Sequence, residues 1–277
     1  MDNPPSGYRT TIIAEIGENH VGDPDRARRM VLEAAQAGVD MIKCQSFLAS
    51  EVDSADPEKE WFSKVQLSDE MHRELKQIAE LHGVEFLSAP FSIGRARFLC
   101  EDLGLRKIKV ASSELLNIAL LDYVAQRANT VFLSTGMASL DEIAQALEHL
   151  RAVPHVTVLH CVTSYPTDDG DANLLALEAL RRAFPTRGIG YSDHTLGILA
   201  PVLAVALGAT VIEKHFTLDK TLPGTDHPLS ADPQELRQMV EMIRRTETLL
   251  GTPRKAPTPM ELSVRDLVRG RFPKVLA

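Results

Sequence analysis

Two lysines, Lys43 and Lys109, sit inside short apolar runs, where the solvated lysines of a soluble protein seldom belong. That placement suits two chemistries. A pair of buried ammonium groups can hold a phosphate- and carboxylate-bearing anion, or a single one can form a Schiff base with a carbonyl substrate. Two histidines, His194 and His215, close later apolar runs. With Asp193, Glu213 and Asp226 nearby in the chain, they are candidate nitrogen ligands for one divalent metal such as manganese, iron, cobalt or zinc. Alone, either histidine reads more often as a hydrogen-bonded barrel residue than as a ligand. Other polar groups recur in comparable places: Glu15, Gln45, Ser112 and Glu114, Ser134, His160 with Tyr165 beyond it, and Ser192. The serines, with Gly136, could add hydroxyl and backbone donors to an anion cradle that lacks a P-loop.

The elements that must position these residues are legible as an alternation of short Ile/Val-rich runs with longer amphipathic stretches. Strands are expected over 10–16, 41–46, 85–88, 107–110, 130–133, 156–160, 188–192 and 211–216. Helical periodicity covers 24–37, 69–82, 140–151 and 233–250, opened by Asp23, Ser68, Ser139 and Asp232 as N-caps. Eight βα units in this length give the stoichiometry of an α/β (β/α)8 TIM barrel, whose active site gathers at the C-terminal ends of its strands. A doubly wound open sheet is the rival, but the glycines after the first strand, Gly17 and Gly22, lack dinucleotide-binding spacing. Period-two geometry puts Lys43 with Gln45, and Glu213 with His215, on single strand faces. Charged faces of that kind are costly inside a barrel unless they meet water, ligand or each other.

At 277 residues and 44% hydrophobic, the chain can bury one large core. Residues 1–250 are expected to form the barrel and 251–277 a proline-containing connector or tail. The net charge of −8 argues against a nucleic-acid or anionic-membrane partner. No apolar run is long enough to span a bilayer, and Cys44, Cys100 and Cys161 are too scattered for a disulfide scaffold. The first ten residues lack the layout of a secretory signal, so a cytoplasmic location is expected.

Taken in order, these residues resemble the sialic acid synthase family. The resemblance runs through 13–17 with Asn19-His20 and Gly22-Asp23, Lys43-Cys44-Gln45, Ala89-Pro90-Phe91, 109–114 and 133–137. It continues through 159–161, Tyr165-Pro166, 190–197, 212–217, Pro223-Gly224 and Asp226. It implies a TIM barrel that condenses phosphoenolpyruvate with an N-acylated aldose, such as N-acetylmannosamine, to give a nonulosonic acid and phosphate. By similarity, His194 and His215 hold a divalent metal, manganese first, with magnesium or cobalt as alternatives. Glu15, Lys43, Glu114 and Glu213 are the implied catalytic residues. Lys43, Lys109, Ser112, Ser134 and Ser192 face phosphoenolpyruvate, while Glu15, Gln45, Tyr165 and Asp226 face the aldose acceptor.

The sequence departs from the family at Ala89, where a hydroxyl residue is usual, at Ser113 in place of a common Gly, and at Thr163, where the sialic acid branch can carry Asn. Members usually continue into an antifreeze-protein-like domain that caps the partner's site, so a homodimer and a separate lid domain or chain are expected by analogy. Two other readings stay open: a lysine Schiff-base pyruvate aldolase, and a noncatalytic sugar-phosphate binding subunit.

Overall fold

Residues 9–272 are described by a computed structural model of the chain. Its strands are β1 (Thr11–Glu15), β2 (Met41–Ser46), β3 (Glu85–Pro90), β4 (Lys107–Val110), β5 (Thr130–Ser134), β6 (His155–Cys161), β7 (Gly188–Asp193) and β8 (Val211–His215). All ladders are parallel, in the order β3-β2-β1-β8-β7-β6-β5-β4. First and last strands are therefore hydrogen-bonded neighbours, and β3 meets β4 at the seam, where Lys107 Nζ lies 2.6 Å from Glu85 Oε2. This is the (β/α)8 barrel that the alternation implies, with strand ends within two residues of those read from sequence.

Between the strands run α1 (Pro24–Ala37), α2 (Lys59–Val65), α3 (Asp69–Leu81), α4 (Ile93–Arg97), α5 (Ile118–Ala125), α6 (Leu140–His149), α7 (Ala176–Ala183) and α8 (Leu199–Ala206), and α9 (Pro233–Leu250) follows β8. The expected caps are made: Asp23 accepts from Asp25 and Arg26, Ser68 from Met71, and Ser139 and Asp232 close capping boxes with Glu142 and Glu235. Each such cap contributes about 1 kcal/mol. The proline-containing stretch expected as a connector carries a further exposed helix, α10 (Pro259–Gly270). Pro259 stands in its first turn, where a missing N–H costs nothing, and Thr258 caps it with Glu261.

Strand residues sort by parity. Ile12, Ala14, Ile42, Val110, Val131, Val158 and Ile212 face outward into one core with helix residues such as Met30, Leu75, Leu120 and Met239. The alternate residues Ile13, Met41, Leu87, Phe132, Leu159 and Val211 form a separate apolar plug inside the barrel. Gly190 makes room for it, since a Cβ there would meet Leu159 Cδ2 at 2.5 Å and the Val211 carbonyl at 2.6 Å. Two residues further along the same strands come Glu15, Lys43, Ser134, Cys161, Ser192 and Glu213, so the plug is the floor on which a polar layer rests.

Buried histidines outside that layer give the fold a pH dependence. His72 of α3 packs edge-on against Phe86 and Phe98, and burial lowers it, like His20, to about 4. In the unfolded chain both titrate near 6.5. Between these values the unfolded state binds more protons, so stability is complete above pH 6.5 and falls as pH drops towards 4. Urea unfolding across that range should show the slope, and His72→Phe should lessen it by up to one proton's worth. An unchanged slope in the variant would refute the assignment.

Candidate active site

Strand ends and βα loops at the C-terminal face enclose a cavity of about 460 Å³. Lys43, Gln45, Lys109, Ser112, Ser134 and Tyr165 line it, as do Ser192, His194, Glu213, His215 and Asp226. Glu15 lies just beneath, fully buried, with Oε2 2.5 Å from Lys43 Nζ. The ladder explains the contact, because β1 and β2 pair Glu15 directly with Lys43. Glu114 is not brought to the cavity wall. It ends a 3-10 turn, where its carboxylate accepts from Asn117 Nδ2 at 2.8 Å and Ser113 Oγ at 3.2 Å.

Parity also corrects two candidates. The inward residues of β6 are Leu159 and Cys161, so His160 points outward, stacks on Tyr191 and bonds the Ala172 carbonyl through Nε2 at 2.9 Å. Cys161 takes its place in the cavity. Asp193 likewise faces outward, away from the histidine pair. It accepts from Lys214 Nζ at 2.6 Å, Tyr191 Oη at 2.9 Å and Thr195 Oγ1 at 2.8 Å.

The cavity floor is an ionic network. Glu213 Oε1 accepts from Lys43 Nζ at 3.0 Å and from Ser192 Oγ at 3.0 Å, and stands 3.7 Å from Lys109 Nζ. Burial pushes the Glu213 carboxyl up, but Lys109 and Lys43 together outweigh it and hold it below the usual carboxylate range. Burial lowers Lys43 to about 8, with Glu213 opposing the shift. Glu213 Oε2 and Ser134 Oγ are buried without a hydrogen-bond partner in the chain. Unsatisfied polar atoms on a cavity wall are where a polar ligand completes the bonding.

Above the floor the two imidazole rings stand 5.2 Å apart, centroid to centroid, with Tyr165 stacked against His194 at 4.2 Å. His194 Nδ1 donates to the Val162 carbonyl at 2.7 Å, which leaves Nε2 with the lone pair. His215 Nδ1 lies 3.2 Å from Asp226 Oδ2, within ion-pair reach but without hydrogen-bond alignment. Burial, followed by the neighbouring His215, lowers His194 to about 4, so it is neutral at pH 7. Among the described residues no three His, Cys, Asp or Glu side chains form a ready metal cluster. The donor set fits a metal held by two imidazoles, with its other positions open to substrate and water.

The remaining wall went unrecognised in the sequence. Phe47 makes edge-on contacts with Phe62 at 5.3 Å and Phe91 at 6.2 Å, forming an aromatic side. Glu18, on the β1–α1 loop, accepts a hydrogen bond from Trp61 Nε1 of α2. The one sequence signal for Glu18 was its position three residues after Glu15, in a loop that had to reach the barrel mouth. Gly136 packs so closely that a Cβ would lie 2.1 Å from Thr163 Oγ1, and its N–H donates to Ser112 Oγ at 3.0 Å. Asn19, by contrast, is a clamp: its amide donates to the Phe216 carbonyl and Ser230 Oγ, tying the first loop to the last.

The chain is 39% identical over 279 residues to N,N'-diacetyllegionaminic acid synthase of Legionella pneumophila, covering 93% of this chain and 78% of that protein. It is 36% identical over 270 residues to human N-acetylneuraminate-9-phosphate synthase, covering 92% and 75%. The crystal structure of an N-acetylneuraminic acid synthetase from Leptospira borgpetersenii serovar Hardjo-bovis, in complex with citrate, superposes with a TM-score of 0.88 at 36% identity, covering 97% of this chain and 93% of that one. No described helix is long and apolar enough to cross a membrane. A sequence profile described as the NeuB family matches residues 30–255, and with relatives at these identities the chain belongs to that family.

Proposed function

We propose that the protein is a synthase that joins phosphoenolpyruvate to an N-acylated aldose, forming a nonulosonic acid and releasing phosphate. The observation that carries this reading is the pairing, in one cavity, of a lysine- and serine-lined floor with a histidine pair above it. Lys43 and Lys109 neutralise the phosphate and carboxylate of phosphoenolpyruvate, and Ser112, Ser134 and Ser192 supply hydroxyl donors. C3 of phosphoenolpyruvate bonds to the aldehyde carbon of the sugar, whose oxygen takes up a proton to become a hydroxyl. The cationic C2 left behind adds water, that water loses a proton, and the C2–O bond to phosphate then breaks to give the keto acid. Glu213, held ionised between two lysines with Oε2 free, orients the added water; Glu15 keeps Lys43 in place.

His194 and His215 hold a divalent metal, which when bound polarises the aldehyde and orients it. Two imidazole donors favour manganese or cobalt over magnesium, which prefers oxygen. Gln45, Tyr165 and Asp226 face the acceptor. Burial lowers Lys43 to about 8, while Glu15 at 2.5 Å and Glu213 at 3.0 Å hold its ammonium in ion pairs, an arrangement that suits anion binding.

The test is phosphate release from phosphoenolpyruvate with manganese, across N-acetylmannosamine, diacetamido-trideoxyhexoses and short aldoses. Acceptor-dependent release that a chelator abolishes is the expected result, and Lys109→Met should raise the KM for phosphoenolpyruvate by roughly 10- to 100-fold, as loss of a charge-assisted contact predicts. Borohydride trapping of a pyruvate adduct on lysine, without metal dependence, would establish an aldolase instead.

A further inference from the structure

Cys161 ends β6 on its inward face, in ladder register with Ser192, and its side chain is part of the cavity wall. The chain's other two thiols, Cys44 and Cys100, are buried in the apolar core on the helix side of the sheet. A reagent that enters the cavity therefore meets one sulfur. Sγ lies 3.7 Å from Ser112 Oγ and 3.9 Å from His194 Nδ1. It stands beside the ring nitrogen that is bonded to the Val162 carbonyl, and leaves the other nitrogen to a metal.

Two further observations say what kind of molecule would be held against this sulfur. Ser134 Oγ, 2% exposed on the same wall, has no hydrogen-bond partner among the described residues, so it has a bond to offer an acceptor. Lys109 is the more loosely held cation of the floor. Its Nζ donates to the Val110 carbonyl at 3.2 Å and stands 3.7 Å from Glu213, whereas Lys43 is gripped by Glu15 at 2.5 Å and Glu213 at 3.0 Å. Lys109 also acts on the Cys161 thiol more strongly than the opposing Glu213 does. A carboxylate accepts from a cation and a hydroxyl together, while an uncharged molecule of the same shape forgoes the charge-assisted bond.

We propose that Cys161 is a covalent modification site for small electrophiles that carry a carboxylate, held against its sulfur by Lys109 and Ser134, and that the adduct obstructs the cavity floor. With iodoacetate, Sγ attacks the methylene carbon. The S–C bond forms as the C–I bond breaks, iodide departs with the bonding pair, and the thiol proton passes to solvent. Burial pushes the Cys161 thiol up, so absolute rates are low. The ratio between two reagents is free of that effect, because both meet the same thiol. The inference rests on the synthase reading only for the expectation that phosphoenolpyruvate competes for the same floor.

The experiment treats the manganese-loaded protein with iodoacetate and with iodoacetamide, its uncharged counterpart, and maps the adducts by peptide mass spectrometry; free cysteine supplies the reference ratio. Carboxymethylation should be confined to Cys161, with the preference for iodoacetate raised about tenfold or more above the reference, the scale of one charge-assisted contact. Lys109→Met should return the ratio close to the reference. Should that variant fail to fold, Ser134→Ala should lower the ratio by about fivefold, as loss of one hydrogen bond predicts. Phosphoenolpyruvate should slow the labelling, and the labelled protein should lose phosphate release. Selective labelling that phosphoenolpyruvate does not slow, in protein without turnover, sinks the synthase reading and leaves this one standing. A ratio equal to that of free cysteine, equal labelling of Cys44 or Cys100, no labelling, or a ratio that neither variant moves overturns it, as does full phosphate release by completely carboxymethylated protein.

Discussion

Replacing His194 or His215 by alanine should abolish stoichiometric metal binding and cut acceptor-dependent phosphate release by ~10³-fold, the loss expected when a Lewis acid worth several kcal/mol departs. The size of the effect follows from the donor set. Only two imidazoles are presented, so removing one leaves a single protein ligand, and the chain has no third His, Cys, Asp or Glu grouped with them among the described residues. His194 is held through Nδ1 by the Val162 carbonyl, and Asp226 stands 3.2 Å from His215 Nδ1, close enough to influence its ring. Asp226→Asn should therefore weaken manganese binding by ~10- to 100-fold, the usual penalty for disturbing a group that orients a ligand. Metal content per chain, measured by atomic emission beside turnover, separates the assignment from a structural role. Unchanged stoichiometry in both alanine variants would sink it.

The second large effect is expected at a residue adjacent to the site that plays no part in it. Lys214 follows Glu213 on β8 but faces the helix layer, fully buried against Asp193 at 2.6 Å and the Thr195 carbonyl at 2.6 Å. Lys214→Met leaves Asp193 as a buried charge. Removing one partner of such a pair costs ~3–5 kcal/mol, and the lower end applies because Tyr191 and Thr195 still donate to the carboxylate. The midpoint of thermal unfolding should fall by roughly 6–12 °C. At a temperature where the variant stays folded, metal content and the KM for phosphoenolpyruvate should be unchanged. Adding Asp193→Asn should recover part of the loss, since the orphaned charge goes with it. A catalytic defect at constant stability would show that Lys214 reaches the cavity after all.

His215 and Lys214 are consecutive residues of β8, yet one faces the cavity and the other the helix layer. The eight βα units, the helix starts at Asp23, Ser68, Ser139 and Asp232, and the pairing of Lys43 with Gln45 and of Glu213 with His215 on common faces are all legible along the chain. Each is a local property, set by hydrophobic periodicity, by a side chain bonding a backbone N–H three residues on, or by the alternation of a strand. Which parity of each strand faces the barrel axis was decided by the tertiary structure. His160 is more polar than its neighbour Cys161, and Asp193 no less so than His194, but the plug that contains Leu159 fixes β6 so that Cys161 enters the cavity, and the Lys214 pairing satisfies Asp193 outside it. Glu114 was lost to a short turn whose Asn117 bonds it locally. Glu18 emerged only because folding brings Trp61, 43 residues away, against it. Alternation gives a strand its two faces; only packing of all eight strands around one axis decides which face is inside.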